Sequence, residues 1–371
     1  MIAGVAARVV GLATAAWACT TPAEPPPEIS PDGATIDGAT DGATTGARPT
    51  RGVLYYGSYG HHDDDLVIAN PWLTGALVQV YWSQAEPADG QHDFAALDAR
   101  LASWRAAGKH VAVRILWSSS GYWPDPQAAH PTPAWVFAAG ARHVVHEPSG
   151  TEIPLFWDPI YQRYARRFVA ALAAHLADDP AVLYLEVTPG AETNPYRMGT
   201  IDALDPDFRA VFTAAAASDG TTYDGARWAA TLDDFLTYAA AMTPAPPLAT
   251  TLNAAGFPGE PSRLAAVGDR AVALGLGVGQ NGLRGDSYTT AASVERWRRW
   301  GDQVPLAFEM SAATGAEVGT MAEVVDAAVR VGADFLNTYA IDVVRATPGS
   351  PTYDPAWQAA LASAAERLGP P

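Results

Sequence analysis

The 371-residue sequence predicts an α/β fold in the form of a closed (β/α)8 TIM barrel, and three observations support this prediction. Apolar segments of strand length alternate with amphipathic segments of helix length from about residue 53 to the end of the chain. The strand-like segments number eight, as a barrel of this class requires. They are apolar throughout rather than alternately polar, which is typical of parallel strands buried on both faces.

The eight predicted strands are spread over most of the chain. Their ranges are 53–58, 76–82, 111–117, 182–188, 248–253, 271–278, 304–309 and 334–340. A doubly wound open sheet is the rival architecture for such an alternation. It is disfavoured because no glycine-rich phosphate loop follows the first strand.

Helix boundaries and apolar stripes mark the segments between the strands. Asp158 and Pro159 predict an N-cap followed by proline at the first helical position. Gly108 is predicted to end the helix before the third strand. The apolar stripes at helical spacing are Phe94, Leu97, Leu101 and Trp104; Tyr161, Tyr164, Phe168 and Leu172; Trp228, Leu232, Phe235 and Ala239; Met321, Val325 and Ala328; and Trp357, Leu361 and Leu368.

The N-terminal residues 1–19 predict an export signal. The run from Ile2 to Ala18 is apolar, short for a membrane span, and typical of the h-region of a signal peptide. It ends in Ala16-Trp17-Ala18-Cys19, which resembles a bacterial lipoprotein processing box. Cys19 is therefore a candidate lipid anchor of an exported cell-envelope lipoprotein. The alternative is an ordinary cleaved signal of a secreted protein, in which the cysteine is incidental.

Composition separates a tether from the folded body and excludes several classes of partner. Residues 20–52 are rich in Pro, Gly, Thr and Asp and predict a disordered tether, so residues 53–371 are expected to form the barrel. The formal net charge of −17 repels nucleic acid and anionic lipids, so we expect no nucleic-acid partner and membrane contact only through Cys19. The single cysteine excludes an intramolecular disulfide framework and a cysteine-based zinc site.

Two long connections, 118–158 and 190–227, follow the third and fourth predicted strands. Both would emerge at the C-terminal face of the barrel, where active sites of this fold lie. The first connection is rich in aromatic side chains, which either pack the loop or stack on the apolar faces of sugar rings. We take Trp82, Trp117 and Trp123 as candidate sugar-binding residues.

Two glutamates near predicted strand ends indicate carboxylate chemistry. Glu309 closes an otherwise apolar strand, where packing gives no reason for a charge. Glu192 follows the fourth strand, just past a Pro-Gly turn. Cleavage of a glycosidic bond needs two carboxyl groups, one protonated and one ionised. Glu192 and Glu309 are therefore the predicted catalytic pair, and Glu186, inside the fourth strand, is the competing candidate.

The segment after the second strand carries a more specific resemblance. Trp-Ser-Gln-Ala-Glu-Pro-Ala-Asp-Gly-Gln-His-Asp-Phe from Trp82, with Leu97 and Asp98 beyond it, is similar to the Trp-Ser-x-x-Glu-Pro-x-x-Gly-x-x-Asp-Phe-x-x-Leu-Asp segment of family-42 β-galactosidases and related clan A barrels. The layout agrees over roughly residues 53–340. The resemblance implies a retaining glycoside hydrolase with the acid on strand four and the nucleophile on strand seven.

This resemblance assigns roles to the two glutamates. Glu309 would attack the anomeric carbon, and Glu192 would protonate the leaving oxygen and later activate water. Clan members usually carry Asn directly before the acid, whereas this chain has Ala191. Asn194, two residues after the acid, is the candidate for the missing contact to the sugar.

Other polar residues at strand ends are candidate substrate contacts. Arg114, on the third strand, either holds Glu309 ionised or forms a structural salt bridge inside the barrel. Asn253, Gln280 and Tyr339 are candidates for contacts to sugar hydroxyls, as is Asn281 beside Gln280.

The run His61-His62-Asp63-Asp64-Asp65 offers a metal-binding alternative. Adjacent side chains diverge, however, and no His-x-x-x-His follows downstream, so we expect a solvated loop or helix start with no metal and no cofactor. A sugar contact from His61 is the more plausible role.

The predicted function is therefore a retaining glycosidase that acts on an extracellular or cell-envelope oligo- or polysaccharide. The alternatives are a carbohydrate-binding barrel without catalysis and a metal-dependent polysaccharide deacetylase.

Overall fold

The computed structural model describes residues 51–57, 63–118, 130–148, 150–188, 207–252 and 264–369. The described strands are β1 (Gly52–Tyr56), β2 (Gly75–Tyr81), β3 (His110–Leu116), β4 (His143–His146), β5 (Thr151–Pro154), β6 (Val182–Glu186), β7 (Leu248–Thr251), β8 (Gly277–Leu283), β9 (Leu306–Met310) and β10 (Phe335–Tyr339). Eight of them close into a barrel in the order β1-β10-β9-β8-β7-β6-β3-β2, with every neighbouring pair parallel. The predicted (β/α)8 barrel is confirmed.

Helices follow the barrel strands and surround them. The described helices are α1 (Asp64–Val67), α2 (Trp82–Ala85), α3 (Ala95–Ala106), α4 (Ala134–Ala138), α5 (Pro159–Leu176), α6 (Phe208–Ala214), α7 (Gly225–Ala240), α8 (Leu264–Ala273), α9 (Ala291–Gly301), α10 (Met321–Val331), α11 (Ala340–Arg345) and α12 (Pro355–Leu368). Among them, none combines the length and the apolar character that a membrane crossing demands. The interpretation of residues 1–50 as signal and tether lies outside the described residues and stays a prediction.

Helix caps form where the sequence predicts them. The Asp158 side chain accepts hydrogen bonds from the backbone N–H groups of Ile160 and Tyr161, and Pro159 occupies the first turn of α5. Gly108 follows α3 with φ +71°, a left-handed conformation that favours glycine and ends the helix.

The prediction for the sixth barrel strand is wrong in its position. Residues 271–273 are the end of α8, and the strand is β8 at Gly277–Leu283 rather than 271–278. Gly275, with φ +76°, turns the chain between the two elements. The apolar run that predicts one strand is therefore the end of one buried helix followed by the start of one buried strand. The periodicity of so short an apolar run does not distinguish a buried helix from a buried strand.

The barrel strands divide the core into two layers because successive side chains point to opposite faces. The outward residues pack with the helices into the main apolar cluster. The inward residues Leu54, Leu77, Ala112, Tyr184 and Phe335 fill the interior of the barrel. Polar side chains occupy the interior positions nearer the carboxyl ends of the strands, and this is where the candidate site lies.

A hairpin in the first long connection is a feature that the sequence analysis does not predict. Strands β4 and β5 pair antiparallel, with His143 opposite Pro154 and His146 opposite Thr151. A small apolar cluster joins this hairpin to α6 of the second connection. The cluster contains Ile153, Leu155, Trp157, Phe208, Phe212 and Ala217. The two long connections are thus packed together.

Candidate active site

One buried arginine joins two carboxylates inside the barrel. Arg114 is 5% exposed, and Glu186 and Glu309 are equally buried. Arg114 Nε donates to Glu186 Oε2 at 2.9 Å, and Nη1 donates to Glu309 Oε2 at 2.5 Å. Nη2 donates to Asn281 Oδ1 at 3.0 Å and lies 2.9 Å from Glu186 Oε2. All three guanidinium nitrogens are therefore engaged by side chains of other strands.

The strand register explains why these side chains meet. Arg114 on β3 lies opposite Glu186 on β6, and Asn281 on β8 lies opposite Glu309 on β9. Glu186 is the last residue of β6, and Glu309 is the penultimate residue of β9. The group thus lies toward the carboxyl ends of the strands, the face at which catalytic residues of this fold are found.

The charges of the group determine its protonation. Burial by itself disfavours the cationic form of Arg114, but the neighbouring carboxylates of Glu186 and Glu309 outweigh it and hold the pKa of the guanidinium well above its ordinary value. Tyr184 lies beside the group, and burial, followed by the charge of Glu186, raises the pKa of its phenol above the ordinary 10. Arg114 stays charged and Tyr184 stays neutral at any working pH.

Aromatic and polar side chains surround the arginine. The Tyr56 ring lies 5.4 Å from the Arg114 guanidinium, in cation–π geometry. Tyr339 packs edge-on against Tyr56 at 5.5 Å between ring centroids. Gln79 Nε2 donates to the Tyr56 hydroxyl at 3.1 Å, and Thr251 Oγ1 donates to Glu186 Oε1 at 3.1 Å. Tyr56, Gln79 and Thr251 are missed by the sequence analysis, although polar groups at inward positions of apolar strands are a usable signal.

The structure brings four of the predicted site residues together: Glu309, Arg114, Asn281 and Tyr339. Glu186, which the sequence places second to Glu192, joins them through Arg114. Gln280 is one residue from Asn281 and therefore points to the opposite face of β8, away from the barrel interior. His61, Trp123, Glu192, Asn194 and Asn253 lie outside the described residues.

Trp82 and Trp117, predicted as sugar-binding residues, are packing residues in this structure. Trp82 is fully buried, and Trp117 is 3% exposed. The two indoles meet edge-to-face at 5.6 Å, and Trp82 stacks on Phe168 of α5. Trp82 begins α2 and Trp117 directly follows β3, and both rings belong to the main apolar cluster between the barrel and its helices.

The segment that resembles family-42 β-galactosidases has a structural explanation. Glu86 is fully buried and accepts hydrogen bonds from Trp82 Nε1 at 2.8 Å, from the Gly90 N–H at 3.0 Å and from Arg167 Nη2 at 2.5 Å. The Trp, Glu and Gly of the motif therefore fix the turn after β2 against α5.

One acidic residue of the His61–Asp65 run, Asp64, makes structural hydrogen bonds. Asp64 lies in α1 and accepts from Arg100 Nη2 at 2.9 Å and from Trp104 Nε1 at 2.7 Å. The described residues contain no group of three His, Cys, Asp or Glu side chains with the geometry of a metal site.

Comparison with known proteins supports this fold. Residues 74–209, less than half of the chain, match the profile of glycoside hydrolase family 42, described as β-galactosidase. The catalytic domain of a β-amylase from Paenibacillus polymyxa superposes with a TM-score of 0.58 at 14% identity, covering 86% of this chain and 99% of that one. No curated protein sequence matches significantly.

A β-galactosidase from Bacillus circulans sp. alkalophilus superposes with a TM-score of 0.50 at 13% identity. The alignment covers 86% of this chain and spans 56% of the length of that enzyme. At such identities the superpositions establish the fold, and the family match adds the resemblance in sequence. Together they confirm the predicted resemblance to clan A barrels and the predicted enzyme class, a glycosidase.

Proposed function

We propose that the chain is a retaining glycoside hydrolase that cleaves an extracellular or cell-envelope oligo- or polysaccharide with two carboxyl groups. The observation that carries the proposal is the contact between Glu309 and the buried Arg114 inside the barrel, beside a second carboxylate. Such a group is expensive to bury, since removing charges from water costs several kcal/mol per ion. A chemical role for a carboxylate at this position accounts for it.

Glu309 is the proposed nucleophile. A nucleophilic carboxylate must be ionised when the substrate binds, and a fixed cation at hydrogen-bond distance favours the ionised form. Arg114, which stays charged, supplies that cation. Arg114 does not itself need to touch the sugar in this role.

Glu192 is the proposed acid and base, and the surroundings of Glu186 support this choice. Glu186 accepts from the Arg114 guanidinium through Oε2 and from the Thr251 hydroxyl through Oε1, so both of its oxygens are already bound within the protein. A general acid must instead be within hydrogen-bond reach of the leaving oxygen. Glu192 follows Glu186 by six residues, which span at most about 22 Å of fully extended chain, so Glu192 belongs to the connection that begins at this site. Glu186 then acts as a positioning residue that orients Arg114.

The reaction proceeds by double displacement. A Glu309 carboxylate oxygen attacks the anomeric carbon while the glycosidic C–O bond breaks and Glu192 gives its proton to the leaving oxygen. Glu192 then removes a proton from water, the water oxygen attacks the same carbon, and the bond to Glu309 breaks. Two inversions leave the anomeric configuration retained.

Export to the cell envelope, with a lipid anchor at Cys19, is part of the same proposal. It rests on the apolar run before Cys19 and on the polar composition of residues 20–52. A substrate outside the cytoplasm suits an enzyme on such a tether.

A panel of aryl glycosides tests the activity. Wild type should hydrolyse at least one member, and Glu309→Gln should lower kcat by at least about 10²-fold, as loss of an essential carboxyl group does. The matched control is Glu317→Gln, since Glu317 lies in the loop after the same strand with its side chain 81% exposed. Saturable oligosaccharide binding by a wild-type protein that cleaves no glycoside would instead establish a carbohydrate-binding barrel.

A further inference from the structure

A large cavity lies on the rim of the barrel, apart from the group around Arg114. Its volume is about 750 Å³, within the range of small-molecule sites in proteins. It is lined by the loop after β9 and by residues at the start of α10, the end of α11 and the start of α12. Loops that follow barrel strands and the starts of the next helices lie at the carboxyl ends of the strands, so the cavity is on the catalytic face.

Most of the lining is apolar. The surface that a ligand would meet is built from Met321, Ala322, Ala356, Trp357 and Ala360. The Trp357 ring is half-buried, and its Nε1 donates to the buried Asp342 at 3.1 Å, which fixes the indole in place. An apolar surface of this size favours an apolar body in its ligand.

The neutral polar groups of the lining are already used within the protein. The Thr314 hydroxyl donates to Asp342 Oδ1 at 2.6 Å, and the Thr320 hydroxyl donates to Glu323 Oε2 at 2.9 Å. The same Glu323 oxygen accepts from the Thr320 N–H in a capping box. The lining therefore offers few free side-chain donors to replace the hydrogen bonds to water that a ligand with many hydroxyl groups would lose. This makes the cavity a poor site for a sugar.

Arg345 is the polar group that remains available. Its guanidinium lies over the Trp357 ring at 5.2 Å and makes no hydrogen bond or ion pair within the described part of the chain. An arginine fork presents paired donors that match a carboxylate. The cavity thus combines an apolar surface with one cation whose hydrogen-bond donors are unused, and the carboxylate in its lining, Glu323, accepts from the Thr320 N–H and hydroxyl.

We propose that this cavity binds a small ligand with an apolar body and a single carboxylate, in addition to the sugar site. The carboxylate pairs with Arg345, and the body covers the surface formed by Met321, Trp357 and Ala360. Alkyl and aryl carboxylic acids both combine an apolar body with one carboxylate, and the experiment below distinguishes these two classes of ligand.

Titration calorimetry on the full-length chain tests the proposal with octanoate and 2-naphthoate as probes. At least one of them should bind saturably with one site, and its neutral isostere, octanol or 2-naphthylmethanol, should bind at least about tenfold more weakly, since a charge-assisted hydrogen bond is lost. Arg345→Gln should weaken the carboxylate by a similar factor and leave the neutral isostere unchanged. Octanoate binding alone identifies an alkyl acid site, and 2-naphthoate binding alone an aryl acid site.

Filling the cavity provides a second test that does not depend on charge. Ala360→Trp should abolish binding of the carboxylate, whereas Ala359→Trp, at the exposed neighbouring position of α12, should not. Neither variant touches the proposed catalytic residues, so hydrolysis of aryl glycosides should persist in both. Absence of saturable binding of both carboxylates, equal binding of acids and alcohols, or unchanged binding by Arg345→Gln or Ala360→Trp would each overturn the proposal.

Discussion

At the scale of residues, the feature that defines this molecule is one guanidinium shared by two buried carboxylates. Arg114 contacts Glu186 and Glu309 through different nitrogens, so the position of each carboxylate constrains the other. A buried ion group of this kind contributes little net stability, but removal of one partner leaves an uncompensated charge. The contacts of Asn281 and Tyr56 hold the same guanidinium in place.

Removal of the Arg114 charge should therefore destabilise the fold. Arg114→Met should lower the free energy of unfolding by roughly 3–5 kcal/mol, because two buried carboxylates lose their cation. Adding Glu186→Gln to this variant should restore part of the loss, since one unpaired charge is removed. Urea unfolding at pH 7 measures both. Equal stability of wild type and Arg114→Met would show that the buried ion pairs do not constrain the fold.

The sequence predicts this group only in part. Glu309 stands out because it closes an apolar strand, and Glu186 carries the same signal on the fourth strand. That both meet Arg114 follows from the registers of β3 with β6 and of β8 with β9, which a single sequence does not contain. For the same reason the sequence does not separate Gln280 from Asn281, because a shift of one residue exchanges the two faces of a strand.

At the scale of elements, Asp158 joins three segments. Besides capping α5, its Oδ2 accepts from the N–H groups of Arg142 and Ser218, and its Oδ1 accepts from the Ser218 hydroxyl. Ser218 belongs to the second long connection, and Arg142 to the first. One carboxylate thus ties the two long connections to the start of a barrel helix.

Loss of this carboxylate should cost more than loss of a cap. Asp158→Ala should lower the free energy of unfolding by more than the ~0.5–2 kcal/mol that an N-cap contributes, because buried N–H groups are left unpaired. The matched control is Asp354→Ala: Asp354 also precedes a proline and caps α12, but among the described residues its side chain accepts only from the Ala356 N–H. Denaturant midpoints of the two variants provide the comparison. If Asp158→Ala lowers the free energy of unfolding no more than Asp354→Ala, contacts other than those of Asp158 hold the two long connections in place.

The short connection between α3 and β3 contains a lysine that should make stability depend on pH. Burial lowers the pKa of Lys109 from 10.5 to about 8. Its Nζ donates to the backbone oxygens of Asn70 at 2.8 Å and Leu73 at 2.5 Å. Between pH 8 and 10.5 the unfolded chain binds more protons at this residue than the folded chain, so its contribution to stability rises with pH.

The variant Lys109→Arg stays cationic between pH 8 and 10.5, so it should lack the rise in stability with pH that Lys109 contributes. The difference in free energy of unfolding between wild type and variant should therefore increase in favour of wild type from pH 8 to 10. Urea unfolding of both proteins at several pH values measures this difference. Tyrosines that titrate in the same range contribute equally to both proteins and cancel. A difference that stays constant with pH would contradict the lowered pKa.

The elements themselves are more predictable than the site. Asp158-Pro159 and Gly108 give the ends of helices correctly because capping is a local interaction. The hairpin β4–β5 is missed although Pro148 and Gly150, residue types typical of turns, lie between its strands, because each strand is only four residues long. Trp82 and Trp117 are assigned to the sugar because composition does not distinguish an aromatic that faces the helices from one that faces the barrel mouth.

At the scale of the whole molecule, the barrel supplies a rigid frame and the long connections after β3 and β6 rise from its C-terminal face. The small apolar cluster around Trp157 and Phe212 packs the described parts of these two connections against each other. Loops at this face are the part of a barrel that varies from one activity to another.

The proposed lipid anchor is a prediction about the whole chain in its cell. Cys19→Ala should move the protein from the membrane fraction to the soluble fraction without altering hydrolysis of aryl glycosides, because Cys19 precedes residues 53–371, which the sequence predicts to form the barrel. Cell fractionation followed by an activity assay measures both. Recovery of the wild-type protein only in the soluble fraction would exclude the anchor.

The central claim is that Glu309 is the nucleophile and Glu192 the acid and base of a retaining glycosidase. The most direct measurement is the anomeric configuration of the glycosyl azide that each alanine variant forms, determined by NMR in the presence of azide. Glu309→Ala lacks the nucleophile, so azide should attack the substrate once and give the inverted product. Glu192→Ala should still form the glycosyl-enzyme from substrates with good leaving groups, and azide should then give the retained product. Full activity of both variants without azide, or the same configuration from both, would contradict the assignment, and Glu186 would be the next carboxylate to test.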